Sequence, residues 1–227
     1  MAPVEGAQGP AYAWPNRDGH GGETMRAGDP GDRAHRPLVA GVYPGLMSGL
    51  KPFDRTTANV VLTELRRTRQ VRQFTAELVS DKDLQAILEV ARWSGSSMNR
   101  QPWTFIVVRE RGDLQRLADL APNAKHVAGA AVAIAIAMGG ANAEWDAYDE
   151  GRAAERILIA ANALGLGAGI GWALESNRPQ VAQFLGLTPP AFVRTIISLG
   201  HPTEAATQPK SAPGTARRPL KDLVREL

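Results

Sequence analysis

The run AAVAIAIAM at 130–138 narrows the possible folds more than any other feature of this chain. A strand with one wet face carries a polar residue at every second position, and this nearly continuous run of small apolar residues does not. It predicts a strand covered on both faces, and therefore a sheet with helices packed against each side. Even extended back to Val127, the run is too short to cross a bilayer, which takes about 20 apolar residues.

The flanking sequence supplies the remaining layers. Ala58, Val61, Leu62 and Leu65 fall at helical spacing behind a polar DRTT start. Ser80 and Asp83 resemble a capping box ahead of the stripe Leu84, Ile87, Leu88 and Ala91. TFIVVRE (104–110) reads as a strand, and Leu114, Leu117 and Leu120 as a short helix. A long helix is expected from about Asp146 to Leu164, stopped by Gly165. It carries apolar residues on more than one face, which suggests more than one packing partner. Residues 168–172 read as a short strand, Pro179 opens a helix ending near Gly186, and Phe192 to Leu199 is the last core strand. The tail from His201 is Pro-rich and expected to be extended. Two helices precede the first strand, so a strict βαβ repeat is not indicated; the expected class is α+β, in three layers around four or five strands.

The first 46 residues differ from the rest. They hold nine Gly and six Pro with little apolar periodicity, so residues 1–46 are expected to stay outside the core and 47–227 to form the domain. Met47 opens a stretch that reads like a natural start, which makes the preceding segment leader-like. It has no apolar core of the kind a secretory signal needs. His20 and His35 lie there, and isolated histidines in such a tail are read as solvated rather than as a metal pair.

Composition removes whole classes of chemistry. The chain has no cysteine, which excludes disulfides, thiol nucleophiles, cysteine–zinc sites and iron–sulfur clusters, and suits a cytoplasmic protein. Only His126 and His201 lie beyond the leader, so a histidine-based triad or zinc site is not expected. A net charge of +3 does not by itself argue for nucleic acid. GLGAGIG (165–171) lacks the G-x-G-x-x-G spacing and follows a helix, so it is not a dinucleotide loop. The chemistry is therefore expected from a bound cofactor.

Three segments could hold one. ELRRTRQVRQF (64–74) places Arg66, Arg67, Arg69 and Arg72 where a helix gives way to extended chain, and guanidinium forks suit phosphate. The alternative is a solvated basic helix end. SGSSMNRQPW (94–103) offers Ser96, Ser97 and Asn99 between a helix and a strand, with Trp103 read as a core residue; its alternative is an ordinary polar loop. The glycines of 165–171 permit close backbone approach to a flat ring, or serve only a helix end and tight turns.

In this order, with Arg217 and Arg218 before Pro219, these segments resemble the FMN-dependent nitroreductase family over about residues 55–227. RQVRQF, SSMNRQPW, ANALGLGAGIGW, ISLGHP and ARRPLKDLV each resemble a family motif. Thr68, Gln70 and Gly95 depart from it, standing where Arg, Ser and Pro are frequent. The resemblance implies a three-layer α-β-α fold with a four- to five-stranded mixed sheet, in an intertwined homodimer. It implies FMN, with NADH or NADPH as reductant, and a ping-pong cycle ending on nitroaromatic, quinone or related acceptors. It places Arg69, Gln70, Arg72 and Arg217, with Arg218 as fallback, at the phosphate and ribityl end, and Arg72 as an electrostatic tuner of the ring. Ser96, Ser97 and Asn99 are implied to reach the partner's cofactor, and Ile170, Gly171 and Trp172 to line the ring edge. Other readings are a flavin-cleaving benzimidazole synthase or reductive dehalogenase of the same fold, and a basic polyanion binder. The arginines lack the interleaved aromatic residues that a nucleic-acid binder would use.

Overall fold

The computed structural model describes residues 52–208, 211 and 217–227. The expectations for residues 1–46, His20 and His35 among them, and for a start at Met47 lie outside those residues. The chain divides into units of residues 1–42 and 43–227, and only the second contains described residues.

Helix α1 (Arg55–Arg67) starts where Asp54 accepts the Thr57 N–H at 2.9 Å. Its apolar stripe is present, yet none of its residues is buried. Helix α2 (Asp81–Arg92) has the expected cap. Ser80 Oγ accepts the Asp83 N–H at 3.0 Å and donates to the Asp83 carboxylate, and Leu84, Ile87 and Ala91 are buried beneath it. After strand β1 (Trp103–Val108) come helix α3 (Arg111–Leu120), the turn-rich segment Pro122–Gly129 and strand β2 (Val132–Met138). Helix α4 (Ala143–Ala163) follows, then β3 (Gly167–Trp172), α5 (Arg178–Phe184), β4 (Phe192–Gly200) and the four-residue α6 (Glu204–Thr207).

Helix α4 starts three residues earlier than its apolar pattern suggests, because Asn142 Oδ1 caps it by accepting the Glu144 and Trp145 N–H groups. Gly165, at φ +74°, ends it as expected, with Leu166 N–H returning to the Ala161 carbonyl. The tail after His201 is not wholly extended, since α6 follows Thr203, whose hydroxyl accepts the Ala206 N–H.

Among the described residues the sheet has four strands in the order β1-β2-β4-β3, every pair antiparallel. This corrects the mixed sheet expected from the resemblance. The parallel element among the described residues is a single bridge, Gln70 to Ala168, where the chain leaving α1 touches the edge of β3.

Every residue of β2 is buried. Val132, Ile134, Ile136 and Met138 join a core with α2 and α4, while Ala133, Ala135 and Ala137 join a second core with α3, α5 and the 122–129 segment. Alternation along one strand thus feeds both cores, and each fully buried isoleucine contributes about 1.5–3 kcal/mol. Register places Ile134 opposite Ile197, and Ile197 opposite Ile170, so one apolar row crosses three strands. Trp103 packs against the first core beside Phe105, as read.

Helix α4 packs against α2, α1, β2, β3 and β4. Contacts within one chain therefore account for its several apolar faces. It also buries three acids, Asp146, Asp149 and Glu150. No helix among the described residues is long and apolar enough to cross a membrane.

Candidate functional site

The strip leaving α1 lies on β3. Val71 N–H donates to the Ala168 carbonyl at 2.7 Å, which fixes Gln70 and Arg72 beside Ile170. Ile170 N–H donates to Gln70 Oε1 at 3.2 Å, and Arg72 Nη2 donates to both Gln70 Oε1 and the Ile170 carbonyl at 3.1 Å. Gln70 and Arg72 therefore hold both polar groups of one residue about 100 positions away.

The glycines of β3 make room for this. A Cβ on Gly169 would stand 2.4 Å from the Val71 carbonyl oxygen and 2.9 Å from Arg72 Cγ; on Gly171 it would stand 2.3 Å from Ala124 Cβ. The close approach that the glycines permit is made, on this face, by the chain itself. Trp172 closes the strand with a half-exposed indole, the Arg194 guanidinium 5.8 Å from its ring centre.

Arg69 is exposed, and Arg67 meets Glu64 at 3.5 Å. Arg217 is exposed, and Arg218 donates to the Asp222 carbonyl at 3.1 Å within its own C-terminal turn.

The hydroxyl loop is fastened elsewhere, to α4. Ser97 N–H lies 3.2 Å from both oxygens of the buried Asp149, and Arg100 approaches that carboxylate at 3.9 Å beneath the Trp145 ring. Ser96 Oγ accepts the Gln101 N–H at 2.8 Å, and Asn99 Oδ1 accepts from the Gln101 side chain at 3.3 Å. Met98, Asn99 and Gln101 have φ of +50°, +54° and +50°. Left-handed backbone costs an ordinary L residue about 1–2 kcal/mol, less for Asn, and three such residues in four persist because both loop ends are tied down. The structure thus joins Gln70, Arg72 and Ile170 directly and carries Ser96, Ser97 and Asn99 on a separate support.

Glu150, Arg194, Asp149 and His126 matter here and escaped the motif reading. Between Ile136 and Ala137 the β2–β4 register slips, leaving Arg194 as an extra residue. Glu150 fills the gap: one oxygen takes the Arg194 guanidinium and the other the Thr195 N–H at 2.8 Å. His126 Nδ1 sits 2.8 Å from Ser198 Oγ. Burial foremost, then Arg72, holds this imidazole below the ordinary histidine range, while the Ile170 carbonyl opposes them.

The model of the Nitroreductase family matches residues 65–125, which include the arginine strip and the hydroxyl loop. A solved structure from Desulfovibrio desulfuricans, provisionally described as a nitroreductase in complex with FMN, is 33% identical. The alignment covers 74% of this chain and 96% of that one, with a TM-score of 0.60. This chain belongs to the nitroreductase family. A relative from Archaeoglobus fulgidus, provisionally named NADH dehydrogenase/NAD(P)H nitroreductase, is 29% identical over 143 residues, 60% of this chain and 82% of that protein. NADPH-flavin oxidoreductase from Vibrio harveyi is 27% identical over 151 residues, 60% of this chain and 63% of that enzyme.

Proposed function

We propose that this protein is an FMN-dependent oxidoreductase that takes reducing equivalents from NADH or NADPH and delivers them to nitroaromatic, quinone or related acceptors. The observation that carries the reading is the Gln70–Arg72–Ile170 strip, in a chain one-third identical to a protein solved with FMN. The donor set fits that group. Arg69 and Arg72 offer exposed guanidinium groups for a phosphate of about −2 charge. The Ile170–Trp172 edge, apolar and ending in an indole, suits a flat ring.

Bound there, FMN would supply hydride acceptance from nicotinamide and delivery to a second substrate, in two half-reactions of a ping-pong cycle. The chain's own part is positioning and electrostatics. Arg69, with Arg217 or Arg218, is assigned to phosphate. Gln70 and Arg72 orient the Ile170 peptide, and the Arg72 cation would favour negative charge on the ring edge. Gly171 and Trp172 continue that edge, and Ser96, Ser97 and Asn99 are assigned to the cofactor of a second subunit.

A homodimer with shared sites and a three-layer protomer completes the proposal. Its support is the apolar face of α1, where Val61, Leu62 and Leu65 are 38%, 55% and 43% exposed, together with Leu220, Leu223 and Val224 in the C-terminal turn. Such a face in a helix with no buried residue needs a partner. A cytoplasmic location is part of the same proposal.

Arg69→Ala and Arg217→Ala are each expected to weaken FMN binding ten- to hundredfold, because a charge-assisted contact is worth about 1.5–3 kcal/mol. Fluorescence titration of apoprotein measures this. Unchanged affinity in both variants would remove these residues from the site.

A further inference from the structure

The segment Pro122–Gly129 brings an ionisable ring against the back of the β3 strip. Ser198 Oγ lies 2.8 Å from His126 Nδ1 and 3.2 Å from the Gly169 carbonyl oxygen. In the arrangement where Ser198 gives its single proton to the Gly169 carbonyl, which only accepts, Nδ1 carries the hydrogen that Ser198 accepts. That leaves Nε2 with its lone pair, enclosed and without a hydrogen bond. The Ile170 carbonyl faces the same ring and already accepts from Arg72 Nη2 at 3.1 Å. A neutral ring has nothing to give that oxygen. A protonated ring has an Nε2–H to donate and would stand as a second cation beside Arg72, repelling it at short range in a partly dry setting.

We propose that His126 is a positioning residue for Arg72: the neutral ring leaves the Ile170 carbonyl to the guanidinium, and the protonated ring takes that carbonyl over and turns Arg72 out of the strip. Arg72 is the charged group that acts on the ring from the strip. Strands β3 and β4 present Gly169, Ile170 and Ser198, none of which carries charge. Helix α3 reaches the segment through Arg111, whose Nη1 donates to the Ala128 carbonyl at 2.7 Å, and Lys125 of the segment itself is exposed. The device belongs to the chain's own residues and holds whether or not flavin binds. On the reading above it also makes the placement of Arg72 at the cofactor dependent on pH.

The test is nuclear magnetic resonance on the full-length, isotopically labelled chain without added flavin, between about pH 8 and pH 5, the range in which histidine changes charge. The His126 ring carbon, the Ile170 amide and Arg72 Nε are expected to move together with one midpoint, below that of an unperturbed histidine. His126→Asn keeps a donor for Ser198 and does not titrate, so its Arg72 Nε signal is expected to stay constant. Ser198→Ala keeps the ring and loses its Nδ1 partner; there the coupled movement is expected to persist at a shifted midpoint. An Arg72 signal that stays fixed while His126 titrates, or that moves equally in His126→Asn, would overturn the proposal. A chain that shows the coupling yet binds no FMN would refute the flavin reading alone.

Discussion

Replacing Glu150 by alanine is expected to destabilise the protein by about 3–5 kcal/mol, the cost of leaving a buried charge without its partner. The Glu150 side chain is 2% exposed and that of Arg194 14%, so water can replace little of what is lost. The substitution also strands the Thr195 N–H, which the register slip has removed from the ladder and which bonds to Glu150 Oε1 at 2.8 Å. Denaturant unfolding with an unchanged m-value measures the loss. The double replacement Glu150→Leu with Arg194→Met is expected to be less destabilised than the single one, because no unpaired charge remains. A loss below about 1 kcal/mol in Glu150→Ala would mean that the pair behaves like a surface ion pair and does not hold the bulge.

Gly171→Ala carries the second large effect. The new methyl would stand 2.3 Å from Ala124 Cβ and 2.7 Å from Ala124 Cα. Ala124 is fully buried, and its backbone cannot turn aside as a flexible side chain would. Overpacking of this kind costs about 1–3 kcal/mol. Because the displaced backbone is that of Ile170–Trp172, FMN affinity is expected to fall as well. Gly151→Ala is the control: nothing lies within 4 Å of its added Cβ, and it sits inside α4. There alanine is expected to stabilise by about 0.5–1 kcal/mol. Equal melting temperatures for the two variants would contradict the packing described at Gly171.

What could be read from the sequence was local. The 130–138 run announces a strand buried on both faces, Ser80 and Asp83 announce the start of α2, and Gly165 the end of α4, because each signal is complete within a few residues. Strand direction is not such a signal. A helix between two strands is compatible with parallel or antiparallel neighbours, and here the sheet is antiparallel throughout while the parallel contact shrinks to Gln70 and Ala168. Nothing in the sequence around Asp146, Asp149 and Glu150 marks these acids of α4 as buried. Their burial depends on a slip in β4 and on a loop some 50 residues earlier, which no window around Asp149 or Glu150 contains. The candidate site divides the same way. The arginines and hydroxyls stood out by composition. That Gln70 and Arg72 hold the Ile170 peptide, or that the glycines of β3 accommodate Val71, Arg72 and Ala124, follows only from tertiary placement.

The central claim is that this chain works through FMN. The direct measurement is the identity and amount of flavin released by acid from the purified full-length protein, after reconstitution with excess FMN and removal of unbound cofactor. A yellow protein is expected, yielding about one FMN per chain and bleaching when NADH or NADPH is added under nitrogen. A folded protein that stays colourless after reconstitution, or that retains FMN which neither nucleotide reduces, would contradict it.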